Sequence, residues 1–228
     1  MAVTMETIKT LRERTGAGIL DCKKALAENN GDIEQAIDWL RAKGIAKAAK
    51  KSGRAATEGT VYSYIHDGGR IGVLVEVNCE TDFVAMTDKF KDLVDDIAMH
   101  IAAAAPEFVS KDDVNEAAAA HERAVQLQRI AEEGGKPERM PQDKWDAIQA
   151  GKLDGRMRNW YAEVCLLEQP FIKDDKKTVA EVLADAVSTI GENIRVRRFV
   201  RFVLGEGLEK KADNLAEEVA KLTAEAQG

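Results

Sequence analysis

Cysteine is scarce and poorly placed for cross-linking: the 228 residues contain three, Cys22, Cys79 and Cys165, far apart, odd in number and without C-x-x-C spacing. That excludes a disulfide scaffold or a standard zinc site and fits a reducing cytosol. No apolar run reaches membrane-spanning length, and Met1-Ala2-Val3-Thr4-Met5-Glu6 has no basic segment leading into an apolar core. A soluble, cytoplasmic protein without a signal peptide is expected. Positive charge is outweighed, 33 Lys and Arg against 40 Asp and Glu for a formal −7. Nucleic-acid binding, which needs clustered cations for phosphate, is therefore not expected. The phosphate loop G-x-x-x-x-G-K-[ST] is missing, so no bound nucleotide is expected. Gly16-Ala17-Gly18 opens like a dinucleotide fingerprint, but Asp21 stands at its third glycine position and no strand precedes it. His66, His100 and His121 lack H-E-x-x-H spacing, Asp92, Asp95 and Asp96 read as a solvated helix face, and Cys79 has no sequence-evident base. No catalytic constellation, metal or cofactor is expected.

What is present is a change of period in the middle of the chain. Val73, Val75, Val77 and Cys79 alternate with Leu74, Glu76 and Asn78, which predicts a strand. Glu80-Thr81-Asp82 interrupts it and Phe83-Val84 follows. Phe90, Leu93, Val94, Ile97 and Ile101 then recur at helical spacing until Pro106. Thr81, Asp82, Phe83 and Val84 thus occupy a strand-to-helix corner. Phe83 there either plugs the local core or is offered to a partner.

The length admits one substantial core or two small ones. Residues 4 to 44 predict three short helices. Thr4 caps the first, with Met5, Ile8 and Leu11 inward. Gly16-Ala17-Gly18 and Asn29-Asn30-Gly31 are breaks, Asp32 with Gln35 suggests a capping box, and Gly44 a stop. This docking domain, residues 1–45, leads into a basic linker at 46–56 with Lys47, Lys50, Lys51 and Arg54. An α+β core at 57–207 follows, with strands about 60–66, 71–79 and 195–204 joined first by Asp67-Gly68-Gly69. A projecting helical hairpin is expected about 112–167, its clearest apolar stripe being Met157, Trp160, Tyr161 and Val164. Gln169-Pro170-Phe171 begins a loop, and Thr178 to Glu181 is a capping box opening an amphipathic helix that Gly191 stops. In the last strand Val196, Val200, Phe202 and Leu204 are expected to face the core. The 208–228 segment reads as a C-terminal helical module whose thin stripe of Leu215, Val219 and Leu222 suits another protein's surface.

Three words in this chain resemble elongation factor Ts, the family that serves as guanine nucleotide exchange factor for elongation factor Tu. They are Val77-Asn78-Cys79 with Thr81-Asp82-Phe83-Val84-Ala85, the stretch from Leu11 to Gly18 with Asp21 to Leu26, and Arg198 to Gly207. The resemblance implies a UBA-like (ubiquitin-associated-type) three-helix head. It also implies docking on elongation factor Tu holding GDP, and release of that GDP without catalytic chemistry. Thr81, Asp82, Phe83 and Val84 match the family's partner-binding stretch, with Asp82 and Phe83 as the wedge, which displaces the magnesium ion and disturbs the phosphate site. Arg12, Ile19 and Leu20 match positions that grip the same domain, although family members often carry methionine where this chain has Ile19-Leu20. Longer members carry two copies of the sheet-and-helix core. One copy here raises the expectation that two chains pair, giving a homodimer in a 2:2 complex. Two other classes stand beside this reading: a ubiquitin-like adaptor working through the head alone, and an RNA binder using the basic linker and the arginines of the last strand.

Overall fold

Two breaks and two caps set the N-terminal end of the chain. The structure, a computed structural model, describes residues 3–208, so the expected C-terminal module lies outside the described residues except for Leu208. Thr4 caps α1 (Met5–Thr15), Gly16 ends it in the left-handed region, and α2 (Ile19–Glu28) follows Gly18. Asp32 caps α3 (Ile33–Lys51) by accepting from Gln35 N at 2.9 Å; the Gln35 amide turns to the Asp32 carboxylate, so only half of the expected capping box forms. Ile8, Leu11, Cys22, Ala25, Leu26 and Ala36 make a small closed core, with Ile33, Ile37, Trp39 and Leu40 packed against it. Met5, expected inward, is exposed at the first turn.

Gly44 does not stop α3. It is buried within the helix, and a Cβ there would sit 3.5 Å from Asp185 Oδ1 and 3.8 Å from Ser188 Cβ. These are ordinary packing distances, so Gly44 lies at the contact of α3 with a later helix and acts neither as a cap nor as a break. The continued helix carries Lys47, Lys50 and Lys51.

The main core is built on a three-stranded antiparallel sheet. β1 (Glu58–Ile65) and β5 (Arg195–Val203) flank the central β2 (Ile71–Cys79). Val73, Val75, Val77 and Cys79 are buried, as their alternation predicts, beneath α5 (Asp88–Ala104) and α8 (Val179–Ile190). Helix α5 contributes Phe90, Val94, Ile97 and Ile101, and α8 contributes Val179, Leu183 and Val187. Thr178 and Glu181 form the expected capping box on α8.

The last strand departs from expectation at one point. Glu76 pairs with Arg198 and Val77 with Val196, leaving Arg197 as an extra residue in a β-bulge. The bulge reverses the alternation, because side chains repeat every two residues. Val196 is buried and Phe199 packs on the core, while Val200, Phe202 and Leu204, expected inward, are exposed. Both arginines beside the bulge reach Glu76, Arg197 at 2.8 Å and Arg198 at 2.7 Å, and hold its carboxyl down at about 2.

The chain leaves this core as a helical hairpin, α6 (Glu116–Glu132) and α7 (Gln142–Val164), closed over Gln126, Ile130 and Met157. A bridge between Phe108 and Cys165 roots it. The expected loop after Gln169 contains a small two-stranded sheet, β3 (Pro170–Phe171) and β4 (Asp174–Thr178). Buried His100 fastens this region. It lies 2.9 Å from Gln169 Oε1 through Nε2, accepts from Ile172 N at 3.2 Å through Nδ1, and stacks on Phe171. This pattern requires the neutral ring with its proton on Nε2.

Burial pushes the His100 pKa below its usual 6.5. A base with a depressed folded pKa contributes full stability above its unfolded value and loses it as pH falls toward the folded one. We expect the stability difference between the wild type and His100→Gln, measured by urea unfolding, to be largest above pH 7 and to shrink as pH falls below 6.5.

Candidate partner-binding corner

β2 ends at Cys79 inside the core, and the chain must turn there to enter α5. Thr81, in extended conformation, caps a single turn, α4 (Asp82–Ala85), accepting from Val84 N at 3.3 Å. Thr87 then caps α5 by accepting from Phe90 N at 3.4 Å. A one-turn helix between two fixed elements leaves little choice of orientation. Val84, 7% exposed, points into the core, and Phe83 beside it is 76% exposed. The local-core alternative for Phe83 is therefore closed. Asp82 is exposed at the start of the turn. Met86, three residues after Phe83, is also exposed and extends the apolar tip. Its helical spacing from Phe83 was the signal that would have revealed it.

Below the tip the corner is tied to the loop between α8 and β5. Glu192 Oε2 accepts from Glu80 N at 3.1 Å and Thr81 N at 3.0 Å, and its Oε1 accepts from the Thr81 hydroxyl at 2.7 Å. In return, Asn193 N donates to Glu80 Oε1 at 2.6 Å. Asn193 is buried and donates through Nδ2 to Ser52 O at 3.3 Å and Arg54 O at 2.8 Å, just beyond α3. Sequence reasoning missed Glu192, since a polar residue after a helix stop reads as loop and its target lies 111 positions away.

The head places its three expected residues around one turn. Arg12 is exposed in the last turn of α1, and Ile19 and Leu20 are exposed in the first turn of α2, Leu20 at 83%. The structure thus gathers Thr81 to Val84 on one turn and Arg12, Ile19 and Leu20 at one end of the head. The two groups belong to separate hydrophobic cores joined through α3.

Many of the basic residues in the linker, just before it and in the last strand are engaged within the chain. Lys43 and Lys47 bind Asp21 at 2.7 and 2.8 Å and hold its carboxyl below the usual range. Arg41 pairs with Glu181, Lys51 donates to Gly191 O at 2.6 Å, and Arg54 lies 3.5 Å from Glu80. Arg201 donates to Ala102 O. The thiols are equally enclosed: burial raises Cys22 and Cys79 and takes Cys165 up to about 11, and Cys79 Sγ donates to Thr81 O. Among the described residues no three His, Cys, Asp or Glu side chains converge as metal ligands, and no helix is long and apolar enough to cross a membrane.

The fold is that of an α+β protein that exposes an aromatic on a stiff corner and an apolar patch on a helical head. Comparison with known proteins says which family it belongs to. The sequence model of the family described as Elongation factor TS matches residues 21–206. The chain is 59% identical over 219 residues to elongation factor Ts of Anaeromyxobacter sp. (strain Fw109-5), covering 96% of both chains. It is 56% identical over 221 residues to that of Geobacter sulfurreducens, covering 96% of this chain and 98% of the relative. With the protein of Carboxydothermus hydrogenoformans it shares 55% over 218 residues, 96% of each chain. The chain belongs to the elongation factor Ts family, and its role is that of a translation elongation factor.

The burial contrast at the corner separates folding from surface. Phe83→Ala should change unfolding free energy by no more than about 0.5 kcal/mol, whereas Val84→Ala should cost about 2 kcal/mol through lost burial and a residual cavity. Urea melts of both variants check this.

Proposed function

We propose that this factor binds elongation factor Tu carrying GDP in the cytoplasm and speeds GDP release without making or breaking covalent bonds. The observation that carries the reading is Phe83, a large apolar side chain 76% exposed on a turn fixed at both ends. Such a side chain is costly to leave in water unless a partner receives it, and an aromatic buries large area with few torsions to fix. Phe83 enters the nucleotide-binding domain of the partner, with Met86 beside it. Asp82, exposed at the start of the turn, belongs to the same wedge, and Thr81 and the buried Val84 hold the tip in place. The shift displaces the magnesium ion, whose charge offsets much of the diphosphate's, and GDP leaves so that GTP can rebind. Arg12, Ile19 and Leu20 grip the same domain. Linkage supplies the driving force, since a factor that prefers the nucleotide-free partner must weaken nucleotide binding by the same ratio.

The working unit of this reading is a pair of chains with two partners. Val61 and Ile65 of β1, Leu74 of β2, and Val200 and Phe202 of β5 are all exposed on the outer face of the sheet, with Leu204 just beyond. A second copy covers that apolar face by sheet-on-sheet packing, in a self-complementary contact.

Stopped-flow release of a fluorescent GDP from elongation factor Tu tests the first part. Fast release with the wild type, reduced at least about ten-fold by Phe83→Ala while the complex still forms, is the expected outcome. An unchanged release rate with the wild type would sink the exchange reading and favour the adaptor. For the pair, sedimentation should give a dimer that Phe202→Glu converts to monomer; a monomeric wild type at working concentration removes the pairing.

A further inference from the structure

We infer that Glu192 is a positioning residue for the corner: its carboxylate clamps the backbone of Glu80 and Thr81 and thereby aims Phe83. The inference rests on the exchange reading above for its functional consequence, but the clamp itself stands on geometry. Strand pairing ends at the residue before Glu80, since Cys79 is the last position of β2 that pairs, with Glu58. The amides of Glu80 and Thr81 thus lie beyond the ladder and before the α4 turn, where neither element supplies an acceptor. Glu192 takes both amides on one oxygen and the Thr81 hydroxyl on the other. The same hydroxyl oxygen accepts from Val84 N, so the clamp fixes the atom that caps the turn bearing Phe83. The exchange is reciprocal, because Glu80 returns a carboxylate oxygen to Asn193 N.

The clamp also has a second end. Asn193 holds the carbonyls of Ser52 and Arg54, and Lys51 at the end of α3 donates to Gly191 O. The loop 191–193 therefore touches the corner that carries Phe83 and the helix that carries the head. One short loop fixes the placement of both partner-facing modules. Removing the carboxylate frees two amides and a hydroxyl at the base of the tip while leaving Phe83, Met86 and the head residues chemically intact.

The test compares Glu192→Ala, Glu192→Gln and Phe83→Ala in the full chain, by fluorescent GDP release from elongation factor Tu across factor concentrations. Glu192→Gln keeps an oxygen for the two amides and offers an N–H to the Thr81 hydroxyl oxygen, so it should stay within about two-fold of the wild type. Glu192→Ala should lower the saturating release rate about ten-fold, with the half-saturating concentration within about three-fold. Residues acting as a unit are not additive, so Phe83→Ala should have less than about a two-fold further effect in the Glu192→Ala background. A Glu192→Ala protein with the wild-type saturating rate, or an undiminished Phe83→Ala effect in that background, overturns the inference. Amide hydrogen exchange in the free protein decides the clamp independently. Exchange at residues 80–84 should quicken at least about ten-fold in Glu192→Ala and not in Glu192→Gln, and equal protection in all three proteins overturns the clamp. A wild type that leaves GDP release unchanged but shows this exchange pattern removes the exchange reading and leaves the clamp standing.

Discussion

The pairing of β2 on both of its edges is the constraint from which the exposed corner follows. Antiparallel bonds to β1 and β5 fix the strand's rotation, and burial of Val73, Val75, Val77 and Cys79 fixes which face meets α5 and α8. With a side-chain period of two, the phase at Cys79 sets the phase of what leaves it. The chain then has only Glu80 and Thr81 before a turn that must return Val84 to the same core. In one helical turn, neighbouring side chains are separated by about 100°. If Val84 is inward, Phe83 is thrown outward. The exposure of Phe83 is therefore a consequence of how its neighbours are buried, and a slip of one residue in β2 would exchange their roles.

A second constraint ties the head to this corner. Helix α3 runs past Gly44, which packs beside Asp185 and Ser188 of α8, and its end delivers Lys51, Ser52 and Arg54 to the loop that holds Glu80 and Thr81. Exposed ion pairs such as Arg54 with Glu80 contribute little by themselves. Hydrogen bonds from backbone amides to a carboxylate contribute more, and leaving such amides without an acceptor costs more still. The loop is held by bonds of the second kind, which is why it can act as a shared mount for two modules.

Most of the architecture was legible in the sequence because it rests on local period and local chemistry. Alternation in β2, helical spacing from Phe90 to Ile101, and the caps at Thr4 and Thr178 each need only a few neighbouring residues. The failures have a common cause. Arg197 becomes a bulge only through its pairing with β2, so Val200, Phe202 and Leu204 were assigned to the wrong face by an alternation counted without it. Gly44 reads as a helix stop until α8 lies against it. Met5 carries the right spacing for a core that ends before reaching it. At the candidate site the turn and its four residues were visible, but which of Phe83 and Val84 meets the core was not, because that depends on how the turn sits between β2 and α5. Glu192 was not visible, because no local pattern marks a carboxylate whose partners are supplied by another part of the chain.

Magnitudes show why the stiffness of this corner matters to the proposed exchange by binding alone. A buried aromatic removes about 150–250 Å² from water, and at about 25 cal/mol per Å² the lower value yields about 4 kcal/mol. Each 1.4 kcal/mol corresponds to a factor of about ten in affinity, so one well-seated phenyl ring can weaken nucleotide binding roughly a thousand-fold if it seats only in the nucleotide-free partner. That sum is easily lost. Ordering a backbone residue costs about 1–2 kcal/mol, so a corner that had to organise Glu80 to Val84 on docking would consume about 5 kcal/mol or more. Insertion of Phe83 from a loose loop would then yield no net driving force. The proposed wedge requires a corner already ordered before the partner arrives. The cap at Thr81, the anchor at Val84 and the carboxylate of Glu192 order it within the free chain.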